Sequence, residues 1–192
     1  MKLAGWLNLV DPQNFTATPE FTQIKKQVTQ GVAAVKWPPG KPTFAINPVR
    51  KGNGVKPIKT EFITSLIKHG WVPEYSTFDA HYTFPAGGPK PFVVEWETGN
   101  ISSSHRAINR IGLGILQQRI CGGVLVVPTK ALYLYLTDRV GNFAELEPYV
   151  ALWEEWEHVP NFGYFGIVTV EHDKLDPSAP LIRKGTDGRA LV

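Results

Sequence analysis

Cysteine is almost missing from this chain. Cys121 is the only one, so no intrachain disulfide and no multi-cysteine zinc site can form. That usage fits a reducing cytoplasm. Long apolar runs are missing too. Nothing approaches the roughly 20 residues that cross a bilayer, and the apolar part of MKLAGWLNLVDP is too short for a signal peptide. Charge is sparse, with 19% charged residues and a net charge of +3. Such a balance permits nucleic-acid binding without requiring it. There is no internal repeat and no interdomain linker. With 192 residues, 43% of them hydrophobic, the expectation is a single domain over 1–192 with a sizeable core.

Chemistry concentrates in one stretch, Pro91 to Arg110, PFVVEWETGNISSSHRAINR. Phe92, Val93 and Val94 run as a strand into Glu95, Trp96 and Glu97. Strand side chains alternate, so Glu95 and Glu97 are expected on one face and Trp96 on the other. Two such carboxylates raise each other's pKa and are costly to bury unless a cation sits near them. Asp79 stands 16 residues before Glu95, at the end of EYSTFD. The turn-like PAGGPKP between them would fold the two segments into a hairpin. Acidic oxygen donors gathered at one sheet edge suit Mg²⁺ or Mn²⁺ better than zinc. The spacing alone is a weak pattern and describes a solvated hairpin face equally well.

Elsewhere, Phe21, Ile24, Val28 and Val32 repeat at helical spacing, and Pro38, Pro39 and Gly40 end that helix. The loop Lys51–Pro57 carries glycines and lysines of a kind that can hold a phosphate, though most such loops are only loops. A second helix is predicted from near Pro57 to Gly70, with Ile58, Phe62 and Leu66 buried and Glu61 beside them. A third is predicted from about Ser102 to Ile120. Asn100, Ser102, Ser103 and Ser104 crowd its start, and capping accounts for one of them. His105, Arg106 and Arg110 follow within two turns, where a helix start can approach DNA. Gly122 to Thr129 reads as a central buried strand, Leu146 to Val159 as a helix holding Trp153 and Trp156, and Gly163 to Val170 as a last strand. Asp138 and Arg139, taken alone, read as a surface ion pair. The polar tail from about Asp173 is expected to be loosely held. The predicted class is α/β, a mixed sheet flanked by helices.

This order, with acids on adjacent core strands, resembles the PD-(D/E)xK nuclease fold, and more narrowly the BamHI/BglII group of restriction endonucleases. The usual lysine of that motif is absent, and Glu97 stands in its place. The pattern of the group is Asp, then Glu-x-Glu, with a further Glu on an upstream helix; here that reads Glu61, Asp79, Glu95 and Glu97. The group also carries Asn-x-Ser-x-x-x-Arg after the last Glu and an Asp-Arg pair further on. Asn100, Ser102 and Arg106, then Asp138 and Arg139, match these. The likeness runs from about Lys56 to Val170, on a chain that looks compact for the group.

The resemblance implies metal-dependent hydrolysis of double-stranded DNA by a type II restriction endonuclease. Asp79, Glu95 and the main-chain carbonyl of Trp96 would hold Mg²⁺, with Mn²⁺ as a substitute. Glu97 would orient or deprotonate the attacking water, and Glu61 would complete a second-metal or water site. Asn100, Ser102, Arg106, Asp138 and Arg139 would read bases, since Arg suits guanine, Asn adenine and Asp cytosine. A homodimer would match a palindrome, joined through the helices after Gly99 and around Trp153. The implied site is centred on GATC, as GGATCC. Two other readings stay open: a nuclease of the same fold with a nicking or repair role, and a DNA-binding module without catalysis.

Overall fold

The computed structural model describes residues 1–75, 77–137 and 140–184. A six-stranded mixed sheet runs through it. In chain order its strands are β1 (Lys2–Val10), β3 (Val72–Tyr75), β4 (Phe78–Tyr82), β5 (Phe92–Trp96), β6 (Gly122–Pro128) and β7 (Tyr164–Glu171). Their spatial order is β1-β7-β6-β5-β4-β3. The central β5, β6 and β7 are parallel. The flanking β1 and the β3–β4 pair run antiparallel. A separate two-stranded parallel sheet joins β2 (Ala45–Ile46) to β8 (Lys174–Leu175).

Helices cover both faces, which is why the central strands are mostly apolar on both sides, with Glu95 of β5 the buried exception. On one face, Phe21, Ile24, Val28 and Val32 of α1 (Pro19–Ala34) and Ile58, Phe62 and Leu66 of α2 (Lys56–Ile67) pack against the face bearing Phe92, Val94, Val124, Val126 and Val168. On the other, Ala107, Ile108, Ile111 and Ile115 of α3 (Ile101–Leu116) cover Val93, Leu125, Val127, Phe165 and Ile167. Alternate residues of one strand thus feed two cores.

Several boundaries depart from the sequence reading. β1 lies in the stretch set aside above as too short for a signal peptide; it pairs with β7 through two register shifts. α3 stops at Leu116 rather than Ile120, because Gln118 takes a left-handed φ of 53° and the last carbonyls accept from Gln118 and Arg119. The helix predicted from Leu146 is four short pieces. They are α5 (Phe143–Leu146), a 3-10 turn Glu147–Tyr149, α6 (Val150–Glu154) and a second 3-10 turn Glu155–His158. Pro148 removes an N–H and restricts the residue before it, so the helix cannot run through. A capping box between Asn142 and Glu145 starts α5 earlier than predicted. α4 (Lys130–Tyr133) is a single turn after β6.

The tail is not loose over its described part. Ala179 and Ile182 are buried. Asn47 donates to the carbonyls of Pro177 and Ala179, Ile182 N donates to Asn53 Oδ1, and Gly54 N donates to the Ile182 carbonyl. Hydrogen bonding to the 47–54 loop supplies the order that polar composition alone concealed. Among the described residues no helix is long and apolar enough to cross a membrane.

Candidate active site

Asp79 lies in the middle strand of the β3–β4–β5 hairpin series. Ala80 pairs with Val94, which sets Asp79 beside the end of β5. Its Oδ2 accepts from the Trp96 N–H at 2.8 Å, so the expected neighbourhood of Asp79 and Glu95 is present. Glu95 is 4% exposed. Burial, with the Asp79 charge adding to it, pushes its carboxyl up to about 7; Arg110 and Lys59 pull the other way. Arg110, on α3, donates from Nε at 3.2 Å and from Nη2 at 2.7 Å to Glu95 Oε1. Lys59, on α2, sets its Nζ 2.6 Å from Asp79 Oδ1. Each acid therefore has its own cation, delivered by helices from opposite faces of the sheet.

Glu97 follows the last residue of β5. Its main-chain N–H donates to the Val126 carbonyl at 3.1 Å, while its Oε1 accepts from the Gly99 N–H. A Cβ built on Gly99 would stand 2.9 Å from Glu97 Oε1 and 2.7 Å from Ser103 Oγ, so this carboxylate lies toward the start of α3, the helix that also supplies Arg110 to Glu95. Glu97 also borders a small crevice with Val55, Ile58 and Pro128. Glu61 is exposed and lines a groove of about 360 Å³ with Lys36, Trp37 and Lys41. Lys59 precedes it by two residues, about 200° around the helix. Lys59, rather than Glu61, is thus the α2 side chain that meets Asp79. The sequence reading missed it, because nothing in KPIKTEF marks one lysine above another. Its place relative to Pro57 and Ile58 is the only signal, since it puts Lys59 off the groove face.

The donor set fits a hard divalent cation. Among the described residues no three His, Cys, Asp or Glu side chains converge as a ligand cluster. Two adjacent carboxylates with a nearby carbonyl are nevertheless the way Mg²⁺ is commonly held, the rest of its shell being water and substrate phosphate.

Beyond Gly99 the geometry turns outward. Asn100 caps α3, its side chain accepting from Ser103 N at 3.2 Å. Ser102, Arg106 and Asn109 form an exposed row on the helix, and Arg106 Nη2 donates to Ser103 Oγ at 2.7 Å. Asp138 and Arg139 lie outside the described residues. Their flanks are tied to the same region: Thr137 N donates to the Asn53 carbonyl at 2.7 Å, and Gly141 N to the Gly99 carbonyl at 2.8 Å. Toward the other end of α3, Leu113 and Leu116 are exposed apolar side chains, as are Tyr149 and Leu152 of the 143–158 segment.

A sequence model of the family described as restriction endonuclease BamHI matches residues 1–189. That span takes in the N-terminal third and most of the tail, which the motifs had left unplaced. The chain is 46% identical over 185 residues to the type II restriction enzyme OkrAI of Oceanobacter kriegii, covering 93% of this chain and 94% of that one. It is 35% identical over 182 residues to the type II restriction enzyme BamHI of Bacillus amyloliquefaciens, covering 86% and 82%.

Proposed function

The chain belongs to the BamHI family of restriction endonucleases and is a type II site-specific deoxyribonuclease; from that premise we propose that it cleaves double-stranded DNA at GGATCC, as a homodimer dependent on Mg²⁺. The observation that carries the metal reading is the Asp79–Glu95 pair on neighbouring strands, one of them buried. A divalent cation held by Asp79, Glu95 and the Trp96 carbonyl would acidify a bound water and offset charge growing on the phosphate. Mn²⁺ has the same ligand preference and would substitute.

Glu97 then has a role that a lysine at that position could not fill. Its Oε1 is oriented by the Gly99 N–H, so Oε2 accepts the proton of the attacking water. Glu61, on the groove face of α2, serves at most through water, and the reading does not depend on it. Asn100, Ser102 and Arg106 contact bases from the exposed start of α3, and Asp138 and Arg139 complete the readout. Asn100 suits adenine, the arginines guanine and Asp138 cytosine. The exposed Leu113, Leu116, Tyr149 and Leu152 support dimerisation along α3 and the 143–158 segment, which a palindromic site requires. A cytoplasmic setting accords with the lone Cys121.

The test is digestion of a plasmid library with Mg²⁺, with Mn²⁺ and in chelator, followed by sequencing of the ends. Ends that map to GGATCC only when metal is present support the reading. Ends at another palindrome overturn the residue-by-residue specificity, and single-strand nicks alone would favour the nicking alternative.

A further inference from the structure

The lysine usual in the PD-(D/E)xK motif is replaced by Glu97, yet an ammonium group still reaches the acid pair. Lys59 comes from the first turn of α2, with β3 and β4 between that helix and β5 in the sequence, and its Nζ stands 2.6 Å from Asp79 Oδ1. We propose that Lys59 is a further active-site residue, whose ammonium holds Asp79 in the free enzyme and a non-bridging oxygen of the scissile phosphate in the DNA complex. The inference rests on the assignment of Asp79 and Glu95 to catalysis.

Three features support it. The Lys59 side chain is 31% exposed and Asp79 18%, so the pair sits at an opening and not in a sealed core. An ammonium has three donors, and Asp79 takes one. Asp79 also has its other oxygen on the Trp96 N–H, so its orientation does not depend on Lys59 alone. A merely structural salt bridge would be a poor use of this position, because part-exposed pairs contribute little. Near a phosphate, a fixed cation has much more to do. Asp79, Glu95 and Glu97 are acids where a polyanion must dock, and Arg110 is committed to Glu95 by two hydrogen bonds. Lys59 is the cation on the opposite side of the pair, and its charge is felt at Glu95 as well.

The test combines binding and cleavage. Duplex affinity is measured in chelator across a range of salt concentrations for the wild type, Lys59→Met and Lys59→Arg, and single-turnover cleavage is measured with Mg²⁺. Loss of one phosphate contact makes the slope of log affinity against log salt shallower by about 0.9. Lys59→Met is expected to show that change and to cleave about a hundredfold more slowly, the scale of one lost donor to a developing charge. Lys59→Arg should keep the wild-type slope. An unchanged slope in Lys59→Met would reduce Lys59 to a partner of Asp79 and overturn the proposal. A shallower slope with wild-type cleavage would also overturn it, placing the contact away from the reacting phosphate. Asp79→Asn is run alongside: if it cleaves like the wild type, the catalytic assignment has failed, and the salt slope still reports on Lys59 separately.

Discussion

Arg110 places two N–H groups, Nε and Nη2, on a single carboxylate oxygen of Glu95, at 3.2 and 2.7 Å. Both fall on Oε1. A buried carboxylate is thereby kept in one orientation by the helix that also carries the base-reading candidates, and Oε2 is the oxygen that takes neither bond.

Glu95→Ala removes this acid without touching an outward-facing residue of α3. Cleavage with Mg²⁺ is expected to fall below detection, while duplex binding in a gel-shift or anisotropy assay stays within a few-fold of wild type. Full activity in this variant would end the metal-ligand assignment.

Glu97 is held by the Gly99 N–H, and the glycine leaves no room for a larger residue. A Cβ on Gly99 would stand 2.9 Å from Glu97 Oε1 and 2.7 Å from Ser103 Oγ. Gly99→Ala should therefore slow single-turnover cleavage by displacing the carboxylate, with little loss of affinity. Glu97→Lys, which restores the usual motif, should leave low activity because the surrounding groups, the Gly99 N–H among them, are arranged around a carboxylate. Wild-type turnover in Glu97→Lys would show that the acid has no special role.

Asn100 serves the helix and, on the present reading, the DNA, and two substitutions separate these roles. Aspartate caps as well as asparagine but lacks the amide donor. Asn100→Asp should keep thermal stability and lose cleavage of GGATCC. Asn100→Ala should lose both, with a stability cost of about 1 kcal/mol. Equal discrimination among single-base variants of the site by wild type and Asn100→Asp would remove Asn100 from the readout.

Leu116 and Leu152 are 56% and 64% exposed. If the dimer forms along this face, Leu116→Glu with Leu152→Glu should yield monomers in sedimentation velocity. The monomers should nick or fail to cut, since each protomer carries one active site. A dimer that survives both charges lies elsewhere.

Asp173 fastens the N-terminal strand and the 43–46 segment together. Its Oδ2 accepts from Phe44 N at 2.7 Å and from the Met1 amine at 3.0 Å. Partial burial would raise its pKa, but these bonds outweigh it and hold the carboxyl below its ordinary 3.8. A lowered carboxylate contributes stability above its unfolded pKa and loses it as pH falls through the folded value. Asp173→Asn should thus cost about 1–3 kcal/mol at pH 7, measured by denaturant unfolding. The gap to wild type should narrow below pH 4.

The sequence disclosed the parts of the fold whose period is strong. Phe21, Ile24, Val28 and Val32 did mark α1, and the run from Val124 to Val127 did mark a central strand. Asp79 and Glu95 were placed together because the turn-like PAGGPKP separates two segments that read as strands. β1 was illegible, because GWLNLV alternates only between register shifts and its partner strand lies at the far end of the chain. The meeting of Lys59 with Asp79 was equally hidden, since Lys59 and Glu61, two residues apart on one helix, leave it in directions that differ by most of half a circle. Order in the tail came from Asn47 and Asn53, which recognise its backbone and leave no hydrophobic signature.

The pairing of Lys2 with Glu171 also sets a timetable. During synthesis β1 emerges long before β7, its one sheet neighbour among the described residues. At about 5–20 residues per second the wait is on the order of ten seconds or more. For that interval the nascent chain carries an open strand, and α1, which packs over the same sheet, has an unfinished surface beneath it. Sheet closure is therefore a late event with long loop closure to overcome, and an amino-terminal fragment that stops short of β7 leaves β1 without its ladder.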